Sequence, residues 1–411
     1  MEATQTGPGA SSLDRPVEES VVQRMVEERS LLTASFFDHE AERIAGLCSR
    51  MADRFADGGR LIAVGASPAA ASDVRHVTVE FVHPVIVGKR ALPAIGITSA
   101  VGDLTAQVDM TASAHDMVIA FGIASDAEGA LSDAIAIARA RGCLTIAFDE
   151  LGAEAEFRAP TVDAFIWQEL VETLYHILWE LVHVFFEHGF DRALSGAANP
   201  GSSGFLYPFL TGATQDLVTV TADVARSVVA KATEVRDLRG RTLGAHGADV
   251  LARVAHLLQT KLSAGGTVLA MGNGGSATDS MDLVADLRTP PRRTALVGRR
   301  AWDLTEDTAI LTALANDVGP DIVFARQIIA YGTASDVAVA FTTSGSSRNI
   351  VAALGEARRR GLATVAFAGY DGGRIAAEGL ADYVIVAPSQ YVPRIQEAHA
   401  TAYHVLRSLI G

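Results

Sequence analysis

Two tandem α/β domains, each a parallel sheet covered by helices on both faces, are predicted from three observations. Apolar runs of strand length alternate with amphipathic runs of helix length from Arg60 to Phe148, and the pattern resumes at Thr267. The second series repeats the first. Phe55-Ala-Asp-Gly-Gly-Arg-Leu-Ile-Ala-Val-Gly65 lines up with Leu262-Ser-Ala-Gly-Gly-Thr-Val-Leu-Ala-Met-Gly272, Asp116 to Phe121 with Asp336 to Phe341, and Ala138 to Phe148 with Ala357 to Phe367. Order and spacing hold across both halves, which reads as an internal duplication. Between them, residues 191–212 are rich in Gly, Ser, Pro and Asn and read as a linker.

Taken in order, residues 1–18 lack any period and are expected to be a disordered lead-in. From Glu19, the spacing of Val22, Met25, Leu32, Ile44, Leu47, Met51 and Phe55 predicts one or two amphipathic helices ending at Gly58-Gly59. A strand Arg60–Val64, a turn at Gly65 to Pro68 and a helix Ser72–Val82 follow. Strands are predicted at Ala94–Thr98 and Met117–Phe121, a helix at Ala130–Ala140, a strand at Leu144–Phe148, and a long helix from about Gln168 to His188. The first domain is thus placed at 19–190 and the second at 213–411.

A chain of 411 residues, 49% hydrophobic and 20% charged, can bury two sizeable cores. Its net charge of -14 disfavours nucleic acid and anionic membrane as partners. The two cysteines, Cys48 and Cys143, lie in apolar patterns, which speaks against a disulfide framework and for a reducing cytoplasm. No apolar run reaches membrane-spanning length, and no charged-then-apolar leader is recognised.

The chemistry concentrates in two turns of the second half. Gly272-Asn273-Gly274-Gly275-Ser276 follows an apolar run and feeds a helix, so several backbone N–H groups and a hydroxyl converge where the helix dipole favours an anion. Thr342-Thr343-Ser344-Gly345-Ser346-Ser347 follows the run Val337–Phe341 and opens another helix. Two such turns at the ends of neighbouring parallel strands can close on one phosphate. The plainer alternative is a pair of tight strand-to-helix turns.

These motifs, together with Ala315-Asn-Asp317-Val-Gly319, Gly369-Tyr-Asp-Gly-Gly373, Arg394-Ile-Gln396-Glu-Ala-His399 and His404, resemble the sugar isomerase (SIS) family, and within it the sedoheptulose 7-phosphate (phosphoheptose) isomerases. The resemblance covers nearly all of Asp249 to Gly411 and, more faintly, the first half. It implies a flavodoxin-like sheet in each half, aldose–ketose interconversion of a sugar phosphate, active sites between subunits and, in some members, zinc; no nucleotide cofactor is implied. A homodimer of tandem chains would then form a family-like pseudo-tetramer. The family's catalytic pieces are a His and a Glu four residues apart on the helix after the Gly-Gly-Ser turn, and a Gln followed eight residues later by a His on the last helix.

Carried over position by position, the second half offers Asp282, Asp286, Gln396 and His404, with Asp in place of both His and Glu. Asp286 can still act as a base but is one methylene shorter. The first half retains His76, Glu80, Gln168 and His176, while its turns lack the Gly-Gly-Ser and carry Asp126 and Glu128.

The losses are complementary, so one composite site is expected. Ser276, Thr343, Ser344 and Ser347 would hold phosphate, and His76, Glu80, Gln168 and His176 would supply acid–base chemistry or a zinc site. Glu80, His176, Asp286 and His404 are the candidate catalytic residues; Asn273, Gly274, Gly275, Thr342, Gln396 and Asp317 complete the candidate substrate contacts. Asp282 and Asp286 also read as a solvated helix face, His399 as structural, and Trp167, Trp179, Phe185 and Phe186 as core or interface. The alternatives in function are a non-catalytic sugar-phosphate-sensing or protein-binding module and an amino-sugar-phosphate isomerase or lyase.

Overall fold

The computed structural model describes residues 19–84, 89–99, 102–123, 126–190, 217–290 and 295–411; the lead-in 1–18 and the linker 191–212 lie outside the described residues. Where the periodicity allowed one or two helices, a single helix α1 (Glu19–Ala56) runs through. β1 (Leu61–Gly65) is buried along its whole length, as a strand covered on both faces must be. It turns into α2 (Pro68–Val82), capped by Ser67, whose hydroxyl accepts from Ala70 N, with Pro68 in the first turn where no amide hydrogen is needed. β2 (Ala94–Thr98), α3 (Leu104–Thr111), β3 (Met117–Phe121), α4 (Ala130–Ala140), β4 (Leu144–Ala147), the short edge strand β5 (Ala155–Glu156) and α5 (Ala164–Phe190) complete the first half.

The second half opens with α6 (Leu217–Thr242) and α7 (Ala245–Ser263), then β6 (Val268–Met271), α8 (Gly275–Arg288), β7 (Ala301–Asp303), α9 (Thr308–Asp317), α10 (Val323–Tyr331), β8 (Val337–Thr342), α11 (Arg348–Arg359), β9 (Ala363–Gly369), α12 (Gly373–Ala377), β10 (Tyr383–Ala387) and α13 (Val392–Ile410). Both sheets are parallel, with orders β2-β1-β3-β4-β5 and β10-β9-β8-β6-β7. Numbered within each half, both read 2-1-3-4-5. The order reverses between β1 and β3 and between β6 and β8, so the turns after β6 and β8 border the crevice where such sheets bind ligands.

The halves exchange their leading helical segments. Val22 and Val26 of α1 belong to the core built by Leu251, Val254, Val339 and Tyr403 of the second half. Val220, Val224 and Val228 of α6 belong to the core of Phe37, Ile44, Leu174 and Trp179 in the first. Trp179 and Phe185 are buried there, with Trp167 and Phe186 packed against them, as the sequence suggested. At the centre, α2 and α5 of the first half meet α8 and α13 of the second.

Several polar groups in this buried seam are paired across it. Glu169 on α5 takes Arg29 Nε at 2.9 Å and Arg239 Nη2 at 3.3 Å, and accepts from Thr401 Oγ1 at 2.7 Å. Burial opposes its charge, but the two guanidiniums and His404 hold the carboxyl far below the usual range. Because removing one member strands the others in a low-dielectric interior, Glu169→Gln is expected to lower stability by roughly 3–5 kcal/mol in a urea unfolding titration.

Candidate active site

The anion seat at the head of α8 depends on glycine for steric reasons. Gly274 adopts φ 58° and ψ -127° at the helix cap. A Cβ on Gly272 would fall 1.9 Å from Ser276 O, and one on Gly275 would fall 1.7 Å from Gln396 Nε2 and 2.8 Å from His76 Nε2. Across the crevice, the second turn is stitched by its own hydroxyls: Thr342 Oγ1 lies 3.4 Å from Ser347 Oγ, Ser344 Oγ accepts from Ser346 N, and Ser346 Oγ accepts from Arg374 N. Asn273 and Asn349 exchange side-chain amide hydrogen bonds at 3.0 and 2.8 Å and tie the two turns together. Ser276 is buried, Thr343 and Ser347 are half-buried, and Ser344 is exposed.

The equivalent turn of the first half is closed to an anion. Ser67 is consumed as the cap of α2, and the Asp126 carboxylate itself accepts from Ile123 N at 3.1 Å. Ser125 lies outside the described residues.

His76, Glu80 and His176 converge in a buried cluster. His76 Nε2 lies 3.3 Å from His176 Nε2 and 3.9 Å from Glu80 Oε1. Each imidazole is oriented through its other nitrogen: His76 Nδ1 bonds the Tyr175 hydroxyl at 2.9 Å, and His176 Nδ1 bonds Glu397 Oε1 at 3.0 Å. Glu397 comes from the second half, where burial opposes its charge but Arg394 and His176 keep its carboxyl below the ordinary range. Burial, reinforced by His176, holds His76 well below the usual imidazole value, so it is neutral at pH 7. Burial pushes Glu80 up to about 7, with His176 pulling the other way.

The two remaining ring nitrogens face each other across this 3.3 Å contact. Tetrahedral zinc with bonds of about 2.0–2.1 Å needs two nitrogen ligands roughly 3.3–3.4 Å apart, which the histidine pair meets. Glu80 Oε2 and Gln396 Oε1 are buried with no hydrogen-bond partner among the described residues. A neutral imidazole pair with orphaned oxygens beside it fits a zinc ion by donor type and spacing.

Gln168 stands elsewhere. Its Nε2 donates to Asp282 Oδ1 at 2.7 Å, so the glutamine beside His76 is Gln396 of the other half. The helices carrying the two glutamines cross between halves, so a comparison of spacings assigns each to its own copy.

Asp282, Asp286 and His404 form the counterpart cluster, and they are buried, not a solvated face. Asp282 also accepts from Ser72 and Tyr403. Burial works against the charge of His404, but hydrogen bonds to Asp282 at 3.2 Å and Glu169 at 3.2 Å raise it to about 10. A protonated imidazole therefore occupies this cluster. Burial and Asp282 push Asp286 well above the carboxylate range.

Asp317 is exposed at the end of α9 and accepts from Asn316, with no described contact to either cluster. His399 is buried against Phe341 and Phe367, and burial brings it down to about 4, in line with a structural role. Tyr175 and Glu397 were not singled out in the sequence. Their signal is the duplication itself, since Gln168-Glu169 and Gln396-Glu397 stand at the same spacing before Tyr175-His176 and Tyr403-His404.

A family model for the SIS domain matches residues 233–369. The phosphoheptose isomerase of Paramagnetospirillum magneticum is 46% identical over 170 residues, 40% of this chain and 86% of that protein. The chain belongs to the SIS domain family. The phosphoheptose isomerase of Thermodesulfovibrio yellowstonii is 38% identical over 161 residues, 39% of this chain and 79% of that protein. Over the full tandem, the solved C-terminal domain of glucosamine-fructose-6-phosphate aminotransferase from Francisella tularensis aligns with a TM-score of 0.57, covering 98% of this chain and 97% of that one at 8% identity. That likeness is one of fold alone, and it spans both halves of the chain. Among the described residues, no helix is long and apolar enough to cross a membrane.

The raised Glu80 has a stability consequence. Its carboxyl binds its proton more tightly in the folded state than in the unfolded chain, so its contribution to stability is full below about 4.5 and is lost as pH rises through about 7. In chelator-treated protein, Glu80→Gln should therefore raise the melting temperature at pH 8 relative to the parent, with the difference closing by pH 5 in a thermal-shift series.

Proposed function

We propose that this tandem SIS protein is a sugar-phosphate aldose–ketose isomerase with one composite active site per chain, acting on sedoheptulose 7-phosphate or a close relative. The supporting observation is the contact at Gly275. The anion seat of the second half closes directly on Gln396 and on His76 of the first half, so a phosphate in the seat and the proton-moving groups address one substrate. The relatives named phosphoheptose isomerase supply the substrate class.

In this reading the phosphate is held by the backbone amides of Gly274 and Gly275, the Ser276 hydroxyl and the hydroxyls of Thr343, Ser344 and Ser347. Glu80, with its unpartnered Oε2 and a pKa near neutral, takes the proton from the carbon beside the carbonyl and returns it to the neighbouring carbon. Without a metal on its Nε2, His176, whose Nδ1 is fixed by Glu397, moves protons between the two substrate oxygens. Gln396 orients the sugar through its amide. His76, His176 and Glu80, with Gln396 Oε1 beside them, would hold zinc, which when bound would polarise the carbonyl and the adjacent hydroxyl. Asp282, Asp286 and His404 have a structural part, since their charges are spent on one another and on Glu169, Gln168 and Tyr403. A pair of chains is the assembly we propose, giving four SIS domains.

Turnover of sedoheptulose 7-phosphate tests the assignment. His176→Ala and Gly275→Ala should each lower kcat/KM by about 10²-fold or more, the first by removing an acid–base group and the second by displacing Gln396. Asp286→Asn should stay within about threefold of the parent, because no reacting group is removed. Intact turnover in His176→Ala would overturn the composite site, and binding without turnover in the parent would favour a sensor.

In chelator-treated protein, with Glu80 ionised as the base, kcat/KM should rise with pH through about 7, and Glu80→Gln should abolish turnover at every pH. A profile flat between pH 5.5 and 8.5 would remove Glu80 from the mechanism.

A further inference from the structure

Between the two clusters lies a small, partly open space bounded by α2, α5, α8 and α13, lined among others by Ser72, Asp73, Glu172, Thr278, Asp279 and Asp282. It has room for about one water-sized particle. Asp282 is satisfied there by Ser72, Gln168 and Tyr403. Two other acids are not. Glu172 Oε1 and Asp279 Oδ2 are buried without a hydrogen-bond partner among the described residues, on side chains 4% and 2% exposed. Ligand atoms of these two residues and of His76 lie within 4.8 Å of one another.

His76 does not neutralise them, because its Nδ1 is 4.0 Å from Glu172 Oε1 and is taken by the Tyr175 hydroxyl at 2.9 Å. Among the described residues, no arginine or lysine forms an ion pair with Glu172 or Asp279. Neighbouring carboxylates buried without a partner are costly unless a proton or a metal cation neutralises them.

We propose that Glu172 and Asp279 bind a small divalent cation of the Mg2+ or Mn2+ class in this space, at a site separate from the His76, Glu80 and His176 set. The donors are oxygens, which select a hard cation over zinc. Asp73 and the hydroxyls of Ser72 and Thr278 line the same space and offer further oxygens. The ion would tie α5 of the first half to α8 of the second, so its role is to clamp the seam behind His76. Neither residue belongs to the isomerase machinery, and the site does not depend on that reading.

The test uses the full chain, stripped with chelator, reloaded with one equivalent of Zn2+ and titrated with Mn2+ while free Mn2+ is followed by electron paramagnetic resonance. One further Mn2+ per chain is expected, with a rise in melting temperature that saturates at the same ratio. Glu172→Gln and Asp279→Asn should each weaken Mn2+ binding about tenfold or more while still taking up Zn2+. His176→Ala, which removes a zinc ligand, should keep the Mn2+ site. The proposal is overturned if the Zn2+-loaded parent takes up no Mn2+, if both carboxylate variants bind Mn2+ as the parent does, or if His176→Ala abolishes Mn2+ uptake. Should one variant fail to fold, the other variant and the parent's stoichiometry still decide.

Discussion

Everything at the centre of this protein depends on neutralising charge inside a seam from which water is excluded. Four helices, two from each half, bring carboxylates, imidazoles and guanidiniums together at low exposure, where an unpaired charge costs several kcal/mol. The pairing crosses the seam: Glu169 of the first half is shared by Arg239, Thr401 and His404 of the second, and Glu397 of the second steadies His176 of the first. The exchange of leading helices, with Val22 and Val26 in one core and Val220 and Val224 in the other, locks the same seam by burial of apolar surface. The halves therefore fold against each other, and the geometry of each cluster is set jointly.

Within that frame the two clusters show how equivalent positions take opposite roles. Tyr175 steadies His76 as Tyr403 steadies Asp282, and Glu397 meets His176 as Glu169 meets His404. Changing His76 and Glu80 to Asp282 and Asp286 inverts the electrostatics. Burial leaves His76 neutral, with Nδ1 bonded to Tyr175 and Nε2 turned toward His176. The acids around His404 instead keep a proton on it, and that proton fills the place a cation would take. The first-half turn makes a parallel change, since Asp126 supplies its own carboxylate to the loop amide.

Much of this was legible in the sequence. The apolar runs gave β2 and β3, and the amphipathic run after Gly129 gave α4, with the observed bounds; β3 is buried along its whole length and so leaves an uninterrupted apolar signature. The short pieces were not visible: β5 has two residues and β7 three, too few for a period to register. The histidines and Glu80 were legible because i, i+4 on a helix places side chains on one face. The partnership of Gln168 was not, since which half's helix faces which loop is a tertiary fact. The burial of Asp282 and Asp286 was hidden for the same reason, as a helix face reads as solvated until its neighbour is known.

A covalent duplication makes such a division physically tolerable. When identical subunits build a site between them, every copy must keep both the anion seat and the proton-moving groups, because each serves in both capacities at once. Once the copies are joined, each position exists twice and its two versions can differ. The second half can then exchange His and Glu for Asp while its seat keeps the glycines that Gln396 and His76 require. The first half can give up its seat while keeping the histidine pair. At these positions the groups present satisfy one another: His404 with Asp282 and Glu169, Asp126 with its own turn. A division of this kind is constrained by how far the charges buried in the seam can be neutralised.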